Sequence, residues 1–174
     1  MTSTAKEDSV VATYDSHTGA EAAIKALQKA GIDMKRLSII GKGFHSEEHA
    51  IGFYTTGDRI KHWAGNGAFL GTVWGLLFGT TFFFLPAIGP VVVMGPLVAW
   101  IIGALEGAAM GGSVGALAAA LASIGIPKDS IVKYELDVKA GKFLVLARGT
   151  GDMVEQARAV LRSTGASDIT AHAA

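Results

Sequence analysis

The chain has no cysteine, which excludes disulfides, thiolate nucleophiles and cysteine metal sites. Charge is nearly missing from its middle: between Lys61 and Lys128 the one charged side chain is Glu106. There is no excess of either sign overall, with 15 basic and 15 acidic residues, so nothing global argues for a nucleic-acid partner. The start, MTSTAKEDSVV, lacks the basic-then-apolar run of a secretory signal. The N-terminus is therefore expected to stay in the cytoplasm. Proline is scarce, and three of the four, Pro86, Pro90 and Pro96, crowd into PAIGPVVVMGP.

What is there looks like a conventional α/β protein at both ends. A length of 174 residues suits one domain, or a small domain with an appendage. VVATY (10–14) is β-branched and aromatic and predicts a strand. Asp15 and Ser16 offer helix caps, and Thr18 with Glu21 has capping-box spacing. From Ala20 to Ala30 an amphipathic helix follows, with Ala23, Ile24 and Leu27 on one face and Gly31 as its stop. LSII (37–40) is a second strand. The C-terminal part repeats the plan: FLVLA (143–147) as strand, a helix with Met153, Ala157, Val160 and Leu161 inward, and DITAH as a last strand. PKDSIVKYELDVKAG reads both ways. Val132, Tyr134, Leu136 and Val138 alternate like a strand, whereas Pro127 and Gly141 bracket a helix, the preferred reading.

Two strand–helix–strand units predict an α+β fold, a ferredoxin-like layer of two helices on a small antiparallel sheet. Neither half can bury its faces alone, so the halves should pair across an insertion. The expected layout is a first half at 1–43, a neck at 44–64, a glycine-rich hairpin at 65–125 and a second half at 126–174.

Gly65 to Leu85 is an uncharged run of 21 residues. As a helix it would span ~31 Å, against roughly 30 Å for a bilayer core. With a second helix over 97–124, it predicts a transmembrane hairpin whose basic flanks, Arg59, Lys61 and Lys128, lie on the cytoplasmic side. Both termini would then be cytoplasmic, on a bacterial inner membrane. A buried hairpin in a soluble homo-oligomer is the competing reading. Gly67, Gly71, Gly75 and Gly79 recur every fourth residue, as do Gly103, Gly107, Gly111 and Gly115. In water each glycine would cost a helix about 1 kcal/mol; in lipid, small residues let helices pack closely. Both runs are therefore expected to form glycine zippers, within one chain or between subunits. Glu106 inside the apolar stretch is a candidate pore or proton site, or marks the point where the helix reaches the interface.

HSEEH in the neck sets His45, Glu48 and His49 in the H-x-x-E-H order of a metalloprotease signature. On a helix the histidines would share a face and could hold a metal; a solvated linker is the plainer reading. Arg59, Lys61 and Trp63 suit a lipid interface. No nucleophile, base and oxyanion constellation stands out, so neither enzyme activity nor a cofactor is expected.

HSEEHAIGFYTTGDRIKHWAGNGAFLGTVWGLLFG, PAIGP, GPLVAWIIGALEGA and GIPKDSIVKYE resemble a family of small bacterial membrane proteins related to general-stress and heat-induced stress proteins. The resemblance covers roughly 9–165. It implies the same split α/β layout with a glycine-rich membrane hairpin, and it favours a helix for PKDSIVKYELDVKAG. It implies no reaction, substrate or catalytic residue. The expected function is a non-enzymatic, self-assembling membrane protein of the stress response whose cytoplasmic domain binds a protein partner. A small channel with Glu106 lining its pore is the first alternative, and the soluble homo-oligomer the second.

Overall fold

The structure, a computed structural model, describes residues 7–42, 81–85, 88–108 and 115–173. Chain order begins β1 (Asp8–Tyr14), α1 (His17–Lys29), a 3-10 turn (Met34–Arg36) and β2 (Leu37–Lys42). Next come β3 (Thr81–Leu85), β4 (Gly89–Met94), α2 (Leu97–Ala108), α3 (Ala116–Ser123) and α4 (Lys128–Lys139). The chain closes with β5 (Phe143–Gly149), α5 (Gly151–Leu161) and β6 (Asp168–His172).

The six strands form one sheet in the order β3-β4-β2-β5-β1-β6. Every neighbouring pair is antiparallel. β5, from the C-terminal half, sits between β2 and β1 of the N-terminal half, with Leu37 and Val10 both opposite Ala147. The two halves therefore interleave in one mixed α+β body. Local chemistry agrees: Ser16 caps α1, its hydroxyl accepting from the Gly19 amide at 3.2 Å, and Gly31 follows with a φ of 86°.

The layer count differs from the expectation. One sheet face carries Val10, Ala12, Tyr14, Val145 and Ala147 and is covered by α1 and α5 through Ala23, Leu27, Ala157 and Leu161. The opposite face carries Val11, Ile40, Val91, Val93, Leu144 and Leu146. It is covered by α2, α3 and α4 through Leu97, Ile101, Leu117, Leu121, Ile131, Tyr134 and Val138. The sheet is thus buried on both sides, and the apolar middle of the sequence supplies the second helical layer.

The expected hairpin of two long helices is corrected accordingly. Its first helix, set at 65–85, ends in a strand: Thr81–Leu85 pairs with β4, Phe83 opposite Val91. Its breaker, PAIGPVVVMGP, holds β4 itself, with Val91, Val92 and Val93 buried. Aromatic and β-branched residues suit a pleated, buried surface, and β2 offers β4 a partner. The second helix, set at 97–124, is two pieces of 12 and 8 residues, ~18 and ~12 Å long. Among the described residues no helix is long and apolar enough to cross a membrane. The helical reading of PKDSIVKYELDVKAG holds as α4. Its buried residues, Ile131, Tyr134 and Val138, follow helical spacing, which turns Val132 and Leu136 outward.

Candidate functional site

Polar residues concentrate on the sheet face beneath α2 and α4. The antiparallel register sets Arg148 of β5, Ser9 of β1 and His172 of β6 abreast in one cross-strand row. Four residues along, Leu144, Thr13 and Asp168 form a parallel row. Ser9, Thr13 and His172 are buried. Buried polar groups in an apolar layer require partners, and two groups of side chains gather around these rows.

The first lies under α4. The Tyr134 hydroxyl meets His172 Nε2 at 2.8 Å, with the two rings nearly perpendicular. Lys133 pairs with Asp168, which also accepts from the Thr170 hydroxyl at 3.2 Å. Thr13 donates to Asp137 at 3.5 Å. Burial pushes the Tyr134 phenol up to about 12, with a smaller push from Asp168 and Asp137 and a hydrogen bond from Thr170 opposing it. Burial also lowers the His172 imidazole, against the opposing pull of Asp168. The bond from Lys133 holds the Asp168 carboxyl below its ordinary range. These groups satisfy one another, and they tie α4 and the short last strand to β1.

The second group opens as a cleft of about 290 Å³ where the 3-10 turn, the entry to β1, the end of β5 and the first turn of α2 converge. Arg36, Lys35, Arg148, Glu7, Pro96 and Trp100 line it. Its position follows from the turn before α2. Gly95 has a φ of 86°, and a side chain there would strike the Leu37 carbonyl oxygen. The Leu97 amide donates to the Ser38 hydroxyl at 3.1 Å. Thus α2 starts hard against β2, and Trp100, one turn in, comes under Arg148. The Arg148 guanidinium lies 5.2 Å from the centre of the indole ring, within cation–π range. Glu7 reaches both arginines, Arg36 at 2.7 Å and Arg148 at 3.8 Å.

Against this geometry, residues 9–82 match the family model of the heat induced stress protein YflT domain. The chain is related to heat-induced stress proteins. No curated protein and no solved structure matches it. The matched stretch carries β1 from its second residue, α1, β2 and the first two residues of β3. The strand that joins β1 to β2 lies outside it.

Most of the residues singled out by sequence fall outside the described residues: His45, Glu48, His49, Arg59, Lys61, Trp63, Gly67, Gly71, Gly75, Gly79 and Gly111. Among the described residues no three His, Cys, Asp or Glu side chains gather as metal ligands. Gly107 closes α2. Gly103 and Gly115 do not form one packed groove. Among the described residues a methyl group on Gly103 would meet nothing within 4 Å, and Gly115 is the N-cap of α3, facing the Glu135 carboxylate. The break at Gly115 takes from these two positions the common axis that spacing of four requires. Glu106 is an exposed residue of α2 rather than a carboxylate within a long apolar helix. Arg36, Trp100, Tyr134, Arg148 and His172 were not singled out. The available signal was a charged or polar residue ending each apolar strand, as in FLVLAR and DITAH.

Proposed function

We propose that this is a non-enzymatic, self-associating protein of the bacterial stress response. Its interleaved halves make a ferredoxin-like body, with β2, β5, β1 and β6 as the four-stranded part and β3–β4 as an added hairpin. The role in stress rests on the match of residues 9–82. Self-association is supported by Val132 and Leu136, adjacent on one face of α4 at 57% and 60% exposure. Two large aliphatic side chains one helical turn apart suit the centre of an apolar contact. The test is the mass of the full chain by light scattering, with and without detergent. An oligomer should form, and Val132→Asp with Leu136→Asp should dissociate it without loss of helix signal. A wild-type monomer under both conditions overturns the reading.

A second element of the proposal concerns lipid. No charged residue occurs between Lys61 and Thr81, where β3 begins, and this favours contact of that stretch with a membrane. Retention in carbonate-washed membranes is the expected result; release into the wash would remove lipid from the proposal.

A further inference from the structure

The cleft beside Trp100 holds more cationic hydrogen-bonding capacity than its own carboxylates use. Three cations line it, Lys35, Arg36 and Arg148, with two carboxylates, Glu7 and Asp33. Asp33 is engaged in capping the 3-10 turn, its side chain accepting from the Lys35 amide at 2.9 Å. Glu7 therefore serves both arginines, and unequally. Arg36 Nη1 donates to Glu7 Oε1 at 2.7 Å, whereas Arg148 Nη1 stands 3.8 Å from Oε2, beyond hydrogen-bond range. Arg148 Nε is buried and has no partner among the described residues. A buried guanidinium donor left unused is unfavourable, and such a group calls for a specific explanation.

Arg148 is nevertheless held in place. Its strand is central in the sheet, and its guanidinium rests on the Trp100 ring. Arg36 enters from the turn before β2, so two planar forks converge from different elements on one opening. This arrangement suits an oxyanion, which accepts from two guanidiniums at once. Glu7 precedes β1 and is partly exposed, as is Arg36. An exposed ion pair of this kind contributes little and is readily exchanged.

We propose that the Arg36–Arg148–Trp100 cleft binds a small oxyanion-bearing ligand, a phosphate or a carboxylate, which displaces the Glu7 side chain from between the two arginines. Glu7 acts as an internal stand-in for the ligand. The ligand oxygens complete the hydrogen bonding of Arg148, and Lys35 adds charge at the rim.

Calorimetric titration of the full chain with inorganic phosphate, and separately with citrate, tests this. Saturable one-site binding of at least one anion is expected, and the tighter of the two identifies the oxyanion class. Glu7→Gln removes the competitor and should tighten binding by about threefold or more. Arg148→Gln should abolish it, and Arg148→Lys should weaken it about tenfold, since an ammonium lacks both the fork and the stacking plane. Lys142→Gln, away from the cleft, should bind as wild type. Unchanged far-ultraviolet dichroism of Arg148→Lys separates loss of binding from loss of fold. The proposal is overturned by absence of saturable heat for both anions up to about 10 mM, where even millimolar affinity would register. It is equally overturned if Glu7→Gln weakens binding, or if Arg148→Gln leaves it unaltered.

Discussion

His172 is a histidine whose burial favours the neutral ring. Tyr134 of α4 faces its ring, and Asp168 on its own strand, with Lys133 and Asp137 of α4, supplies the nearby charge. Because burial lowers its folded pKa below the ordinary 6.5, the unfolded chain binds the proton more readily. The stability this residue contributes is complete above 6.5 and is lost as pH falls from there through the lower folded value. Urea midpoints should decline on acidification from neutral pH, and His172→Phe should flatten that decline. Tyr134 acts at the other end. Its raised value, about 12 against 10, means the unfolded phenol ionises first, so stability should fall as pH rises from 10. Asp168 is lowered as His172 is, here by the bond from Lys133, and loses its contribution in the same sense, as pH falls below 3.8. Gly95 is a residue-scale constraint of another kind. Its positive φ and the adjacent Leu37 carbonyl predict that Gly95→Ala destabilises by about 1–3 kcal/mol, readable as a lowered urea midpoint at unchanged slope.

Helices α2 and α3 were read from sequence as one membrane-spanning element, and their glycines as its contact surface. In the fold their apolar faces meet the sheet instead, through Leu97, Ile101, Leu117 and Leu121. Gly103 separates the two accounts. It sits inside α2, exposed and with nothing near a would-be methyl among the described residues. Gly103→Ala should therefore stabilise the protein by about 0.5–1 kcal/mol, through helix propensity alone. A close helix contact at Gly103 would make the same change destabilising, so a thermal melt of this variant discriminates. Leu121, in the short alanine-rich α3, is 2% exposed. Leu121→Ala should cost about 2–5 kcal/mol, which a membrane-facing leucine would not. Element type was legible where periodicity was unambiguous, as in α1, β1, β2, β5 and α5. It was not legible in TFFFL and PVVV, because a short apolar run fits a strand or a buried helix equally well. The strand partner that decides the matter for PVVV, β2, lies about fifty residues upstream in the chain.

The whole molecule is held together by interleaving. β1 and β2 have no contact in the sheet except through β5. Among its described residues, the stretch related to heat-induced stress proteins therefore carries β1 and β2 without the strand that lies between them. A fragment ending at residue 90 lacks β5, α5 and the Val145, Ala147 and Leu161 side chains of its core. It should be unfolded by circular dichroism and proton NMR, whereas co-expression with a fragment starting at residue 91 should restore dispersion. A fragment that folds alone would show that the paired halves are not one cooperative unit. The same interleaving builds the arginine cleft, since Arg36 and Arg148 are 112 positions apart and meet only because β5 is inserted beside β2.

Composition and periodicity by themselves determined the absence of thiol chemistry, the two strand–helix–strand halves and the need for those halves to pair, because these follow from residue type and local spacing. Tertiary structure decided what the described part of the apolar middle does: residues 81–85 and 89–94 extend the sheet, and 97–108 and 116–123 roof its second face. Hydropathy records that a segment leaves water but not whether lipid or protein receives it. The cleft was likewise invisible in sequence. A guanidinium acquires a site only when distant strands, brought into register, set a second guanidinium and an indole beside it.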